Sequence, residues 1–392
     1  MHKYLKKGII LCAFCWVILP IWAQESPTRT SKEKPKMKDL LHDSLDHKLD
    51  ASDFLIQADG FIPVPQLITE PALGDIGVML AAVFIKPNKV QLKDEYVPPN
   101  ITAAVAGYTG NQTWLLGAMR IASLPKYRMK YRAGLAYANV NMDFYRDLPF
   151  IGERKFSFNF RMTPVFASVL KEIGRTHVYV GLEYLFINAD VGANFELEDF
   201  PDFDERLRKS HNLSSVGVDL EYDKRDNVFT PNKGILITSN YRQNAEWTGS
   251  DYEYGTLTFG VLYYFQPTSR WVSGFRLDNK SQFGDAPFYA MPGISLRGVP
   301  INRYQGDRTY MLETEQRYDF TKRWSILAFG GMAKAPTQEV DFKDALLVYN
   351  YGTGFRYLLA RKFGLRMGVD VAWSNNDFGY YITFGSAWNN RN

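Results

Sequence analysis

Long runs of strict two-residue alternation, with glycines and full charges on the face opposite the apolar one, constrain this chain more than any other feature. In "FGLRMGVDVAW" one face carries Phe363, Leu365, Met367, Val369, Val371 and Trp373. The other carries Gly364, Arg366, Gly368, Asp370 and Ala372. In "KYRMKYRAGLAY", Tyr127, Met129, Tyr131, Ala133, Leu135 and Tyr137 oppose Arg128, Lys130, Arg132 and Gly134. "THVYVGLEYLF" sets Val178, Val180, Leu182, Tyr184 and Phe186 against Tyr179, Gly181 and Glu183. A period of two is the signature of a β-strand with two unlike faces.

Strands of a soluble sandwich average five or six residues and turn their apolar face inward. The runs here reach ten or more, and their polar faces hold ionised side chains. That fits a transmembrane barrel, with apolar residues toward lipid and polar residues toward a lumen. A closed barrel also satisfies every backbone group without water. The aromatic share, 15% with 27 Phe, 24 Tyr and 8 Trp, suits such a wall. No apolar run after the N-terminal region is long enough for a membrane helix.

Sixteen strands are predicted, near 61–69, 74–86, 100–109, 113–123, 127–141, 155–169, 176–189, 212–225, 234–245, 252–266, 270–282, 307–320, 323–334, 345–358, 363–374 and 377–388. An even number is what a single-chain bacterial barrel uses. The fold class is therefore all-β: a 16-stranded antiparallel transmembrane β-barrel of the outer membrane, spanning 61–388, with a short N-terminal periplasmic extension. Short connections at 267–269, 321–322 and 359–362 are expected on the periplasmic side, and long ones at 142–154, 190–211 and 283–306 outside. The 87–99 connection would be a long periplasmic exception.

The N-terminus reads "MHKYLKKGIILCAFCWVILPIWAQE". Lysines, a short apolar run and a closing Ala23 make residues 1–23 a signal peptide, cut near Ala23–Gln24. The run is too short to anchor the chain in a bilayer. The two cysteines, Cys12 and Cys15, fall inside it, so the exported chain carries no disulfide or thiolate site. Cleavage removes Lys3, Lys6 and Lys7 and leaves the chain near neutral, without the basic footprint of a nucleic-acid binder. Residues 24–60 are polar and Lys-rich. We expect a partly disordered extension with a short helix whose stripe is Leu41, Leu45 and Leu49. Residues 389–392 form a C-terminal tail.

Three motifs stand out. "DKRDNVFTPNKG", residues 223–234, crowds Asp223, Arg225 and Asp226 into a turn shaped by Pro231 and Gly234. "SLRGVP", residues 295–300, places Arg297 and Gly298 in a long loop. The strand "RTYMLETEQRYDF" then puts Glu313, Glu315, Arg317 and Asp319 on one face. In this order the motifs resemble the BamA/TamA family of outer-membrane barrels, the bacterial surface antigen family, over residues 61–388. The resemblance implies outer-membrane protein assembly, insertion or translocation, with the sixth loop folded into the lumen so that Arg297 meets Glu315. It also implies inner-wall roles for Arg317 and Glu313, a periplasmic turn at 223–234, and a last-strand signal at Phe384 and Trp388. Family members often carry an Asp-x-Gly on the thirteenth strand. Here Gly331 takes the position of the acid, which leaves Glu313 or Asp319 as the second partner of the arginine. The family's periplasmic POTRA domains, of about 75–80 residues as the resemblance implies, exceed what residues 24–60 can hold, so their function is expected from a partner protein.

The histidines His2, His42, His47, His177 and His211 form no ligand spacing, and no nucleophile elbow, P-loop or dinucleotide fingerprint is present. We expect no enzyme activity, catalytic residue, cofactor or metal. The expected partners are outer-membrane lipid, assembly partners and client proteins, not nucleic acid. The inward run Arg128, Lys130 and Arg132 reads either as an anion-selective wall or as a network that neutralises inward acids. Pro63, Pro65 and Pro71 fit either a weak first-strand seam that opens laterally or simply a short strand. A passive pore or structural barrel is the alternative function.

Overall fold

The protein is described from a computed structural model, which covers residues 40–57, 61–68, 76–88, 90, 96–148, 152–193, 208–300 and 302–389. The expected signal peptide with Cys12 and Cys15, residues 24–39 of the extension, Pro71 and residues 390–392 lie outside that range.

A short helix, α1 (Ser52–Gln57), precedes sixteen strands. They are β1 (Ile62–Ile68), β2 (Gly77–Lys86), β3 (Asn100–Thr109), β4 (Trp114–Leu124), β5 (Met129–Leu148), β6 (Gly152–Glu172), β7 (Val178–Ala193) and β8 (Lys209–Asp223). The second half comprises β9 (Gly234–Asn244), β10 (Tyr254–Thr268), β11 (Trp271–Gly284), β12 (Arg308–Asp319), β13 (Trp324–Lys334), β14 (Val348–Ala360), β15 (Leu365–Ser374) and β16 (Phe378–Phe384). Each pairs antiparallel with the next in one sheet that runs from β1 to β16. β1 and β16 stand side by side and nearly close the barrel. Among the described residues no ladder of paired residues joins them.

Burial is inverted relative to a soluble protein. On β8, Val218 is 51% exposed while its neighbours Asp219 and Glu221 are only 8% and 4% exposed. Val216, Leu220, Leu312, Ile326 and Phe355 likewise point outward. Apolar residues meet lipid and charged residues line the interior, which is the arrangement a bilayer selects. Aromatic side chains gather near both strand ends. Trp271, Tyr318, Trp324 and Tyr357 mark the end that carries the termini, and Tyr349, Tyr351, Trp373 and Phe378 the other.

At the end where β1 begins and β16 ends, the turns at 125–128, 269–270, 320–323 and 361–364 are short, while the 224–233 and 87–99 connections are longer. The opposite end carries the 285–307 and 335–347 connections. The expected long loop at 142–154 is instead strand. β5 and β6 extend to Leu148 and from Gly152, a hairpin whose arms of 20 and 21 residues exceed the 9–11 or so that cross a bilayer. Its outer part is stabilised by an aromatic cluster: Phe144 packs on Phe158, Phe160 and Phe288 with ring centroids 5.7, 5.8 and 5.1 Å apart.

Two expectations fail on local grounds. Residues 41–50 are turns and bends rather than a helix with a leucine stripe, and Leu45 is 73% exposed. The aspartates of that segment, not its leucines, make its contacts. β16 ends at Phe384 instead of 388, because Gly385 takes a left-handed φ of +78° and turns the chain inward.

Candidate functional site: an arginine cluster inside the barrel

The 285–307 connection is a narrow hairpin. Ile294 N donates to Tyr304 O at 3.0 Å, and Gly306 N to Pro292 O at 3.1 Å. Its apolar residues Ile294, Leu296 and Val299 pack on Met311 of β12, Ala333 of β13 and Val348 of β14. This seat lies on the inner face of those strands and fixes where Arg297 points.

Arg297 is 1% exposed. Its Nε and Nη2 donate to Glu313 Oε1, both at 3.2 Å. Its Nη1 donates to Glu315 Oε2 at 2.8 Å and to Asp370 Oδ2 at 3.0 Å. The guanidinium carbon of Arg297 stands over the Phe329 ring of β13, 3.4 Å from its centroid. Only a planar fork can serve three carboxylates and a ring face at once. Gly298 follows with φ +83°. A side chain there would press on Ala372 of β15 at 3.2 Å. Three strands hold the tip. Asn350 of β14 donates to Arg297 O at 2.9 Å, Ser374 of β15 to Gly298 O at 2.7 Å, and Gly298 N donates to the Tyr381 hydroxyl of β16 at 2.7 Å.

The second acid is not where the thirteenth strand would have offered it. A side chain at Gly331 would meet Leu312 O at 2.8 Å and Asn350 Oδ1 at 2.9 Å, so no carboxylate fits. Glu313 takes part, and Asp370 of β15 supplies the third acid. Asp319 does not reach Arg297; it pairs with Arg317 at 3.1 Å and with Arg366 at 3.3 Å. Arg276 of β11 and Arg356 of β14 complete the network. Arg276 binds Asp278 and Ser295 and lies 3.4 Å from Glu313, while Arg356 grips both oxygens of Asp370 at 2.5 and 2.8 Å. Asp370, Arg276 and Arg356 were missed as site residues. The signal was available: each stands at an inward position of its alternating strand.

The 224–233 turn reaches into the same space from the opposite end. Asp223 receives Arg225 on both oxygens at 2.9 Å, and Asp226 Oδ1 accepts the Asn232 N–H at 3.0 Å. Gly234 sits at φ +109°, where a side chain would come within 2.1 Å of Lys224 O. Pro231 lines a small internal cavity together with Glu315, Arg317, Arg356 and Ser386. Arg317 donates to Asn232 Oδ1 and joins the turn to β12. Asn227 donates to Phe363 O at 2.8 Å, across to the β14–β15 turn.

The C-terminal residues complete the plug. After Gly385, Ser386 N donates to Phe229 O at 2.6 Å. Trp388 is 1% exposed, packs on Tyr264, Leu262 and Leu236, and donates from Nε1 to Glu313 Oε2 at 2.7 Å. Phe384 stays at the end of β16, half-buried. Trp388 therefore belongs to the interior cluster and not to the last strand. On the far wall, Lys130 and Arg132 of β5 both bind Glu221 of β8, and Arg128 binds Glu172 at 2.6 Å. These cations are matched to acids on the wall.

The Omp85 superfamily domain matches residues 123–291, which run from β4 to the start of the inward hairpin. The barrel resembles the BamA-type barrels of that superfamily in fold. BamA from Haemophilus ducreyi lacking POTRA domains 1–3 superposes with a TM-score of 0.55 at 9% identity, covering 82% of this chain and 69% of that one. CdiB from Escherichia coli gives 0.56 at 8% identity, with 82% and 61% covered. CdiB from Acinetobacter baumannii gives 0.54 at 9%, with 82% and 58% covered. The chain thus spans about three-fifths of the CdiB chains. No curated protein matches it in sequence. The barrel resides in the outer membrane of a Gram-negative bacterium. Its interior on the β11–β15 side is occupied from both ends by its own loop, turn and tail.

Proposed function

We propose that this Omp85 barrel acts in outer-membrane protein assembly, insertion or translocation, by opening between β1 and β16 while the 285–307 hairpin braces the lumen. The observation that carries this reading is the contrast between two parts of one wall. The interior beside β11–β15 is tied by Arg297 to Glu313, Glu315 and Asp370. The adjoining β1–β16 boundary has no ladder among the described residues. Pro63 and Pro65 of β1 lack the N–H that a ladder would use, and both strands are only seven residues long. Movement is therefore easiest at the seam, and a strand of a client could pair there.

In this role Arg297, Gly298, Glu313, Glu315 and Arg317 are structural and gating residues, not catalytic ones. Client chains and assembly partners would meet the barrel at the seam and at the end that carries the 224–233 turn. Depletion of the protein followed by a census of outer-membrane proteins tests the reading. Loss of a defined set of other barrels or exported proteins supports it, and an unchanged census defeats it.

The competing reading is a passive pore. Single-channel recording separates the two. A wide, stable conductance in the wild type that Arg297→Ala leaves unchanged would favour the pore.

A further inference from the structure

We infer that residues 40–57 form a strap across the β1–β16 seam and hold it shut. The strap is fastened on one side by charge. Arg323, in the β12–β13 turn and nearly inaccessible, donates to Asp43 at 2.5 Å, Asp46 at 2.7 Å and Asp50 at 2.5 Å. Arg361, in the β14–β15 turn, donates to Asp43 at 2.5 Å and offers its N–H to Asp50 at 3.1 Å. Lys362 pairs with Asp53 at 2.5 Å, and its N–H reaches Ser52 Oγ at 3.0 Å. Backbone contacts add to this: Ala51 N donates to Leu359 O at 2.7 Å, and the Tyr357 hydroxyl donates to Leu49 O at 2.8 Å.

A second fastening is apolar, and it runs from the β14–β15 turn to β2. Ala51 and Leu55 are buried with Ala360, Phe363 and Leu365, and the same cluster takes in Phe54 and Ile85 of β2. Helix α1 lies against both β2 and the β14–β15 turn. In the circular order of the barrel, β16 and β1 are the strands between those two supports. The strap therefore bridges the boundary that the sheet leaves unzipped, and it supplies side-chain contacts where strand hydrogen bonds are missing. Its two attachments differ in kind. Three aspartates on one arginine make a firm anchor at β13–β15, and a small apolar contact makes a releasable one at β2. The strap can leave β2 and stay attached, which is how a latch on a lateral opening would work. This inference rests on the lateral-opening reading for its use, but not for its geometry.

Electron spin resonance on the full chain in lipid tests it. One label pair at Leu67 of β1 and Phe378 of β16 reports the seam, and a single label at Leu45 reports strap docking. The wild type should give one short separation and a Leu45 label that moves only with its docked turn, less freely than on a released strap. Leu55→Ala weakens the apolar cluster that takes in Ile85 of β2 and leaves the aspartates in place. It should raise the population with a longer separation by about tenfold or more. Asp43→Asn with Asp46→Asn and Asp50→Asn should free the Leu45 label and open the seam as well. Should the triple variant fail to fold, Leu55→Ala alone decides. An unchanged separation in Leu55→Ala, a label no freer than the wild type's in the folded triple variant, or an already wide wild-type seam would overturn the strap. If the seam opens but the census of outer-membrane proteins under depletion is unchanged, the strap stands and the assembly reading falls.

Discussion

Trp388 Nε1 donates to Glu313 Oε2 at 2.7 Å, while Oε1 of the same carboxylate accepts Arg297 at 3.2 Å. One buried acid thus joins the C-terminal tail to the tip of the 285–307 hairpin. The tail, the hairpin and the 224–233 turn form one connected filling on the side of the barrel next to β16.

Replacing Trp388 separates packing from hydrogen bonding. Trp388→Phe keeps a ring against Tyr264 and Leu262 but leaves a Glu313 oxygen without its indole donor, a loss of about 1–3 kcal/mol. Trp388→Ala also opens a cavity and should cost about 3–5 kcal/mol. Thermal midpoints of the folded band on semi-native gels should fall in the order wild type, Phe, Ala.

Arg297 is the common partner of three carboxylates, so its removal leaves buried Glu313 with only Arg276 at 3.4 Å and buried Asp370 with only Arg356 as cationic partners. Arg297→Ala should destabilise by about 3–5 kcal/mol. Arg297→Lys should recover only part of this, since an ammonium can neither fork between carboxylates nor set a delocalised charge over Phe329. Limited proteolysis should cut the 285–307 hairpin faster in both variants, and fastest in Arg297→Ala.

The acid at position 370 cannot be moved to position 331. Asp370→Asn should loosen Arg297 and Arg356 together, because both guanidinium groups use that carboxylate. Adding Gly331→Asp should not restore stability. Its Cβ would meet Leu312 O at 2.8 Å, a backbone atom of the paired strand. Denaturant midpoints of the two single variants and the double variant check this.

Sixteen strands could be read from the sequence because a bilayer outside and a charged interior force a period of two on every strand, and the glycine- and charge-bearing face of each run is unambiguous. The same alternation turns Glu313, Glu315 and Arg317 inward, and Arg297 lies against the first two. Asp370 was harder to find because its pairing with Arg297 depends on how deeply the hairpin descends, which no local pattern records. Trp388 continues the spacing of Phe378, Tyr380, Ile382 and Phe384, so the pattern alone extends the strand. The reversal is set by one left-handed glycine, Gly385, and by partners on the distant 224–233 turn. The leucines at 41, 45 and 49 misled for a related reason. Their spacing suits a helix, but the segment's energy comes from Asp43, Asp46 and Asp50 meeting Arg323, which lies 273 or more residues away.

The strap should respond to acid. The hydrogen bond from Arg361 holds Asp43 well below the usual carboxylate range, and the one from Arg323 does the same for Asp46. Burial pushes Asp50 up, but bonds from Arg323 and Ser52 leave it lowered overall. Docking favours the charged forms, so its full strength is present above the free aspartate value of about 3.9 and is lost as pH falls through the lowered values. Mobility of a label at Leu45 should stay constant from pH 7 to about pH 5 and increase below about pH 4. In the Asp43→Asn, Asp46→Asn, Asp50→Asn variant that step should vanish.

The account turns on motion between β1 and β16, and the most direct test is to forbid it in cells. The only cysteines, Cys12 and Cys15, lie in the segment read as a signal peptide, so one introduced pair can link β1 to β16 without competition. Cells whose sole copy carries this link should show the same loss of outer-membrane proteins as depleted cells, and a reductant should restore the wild-type census. A normal census with the seam fully cross-linked would contradict the account.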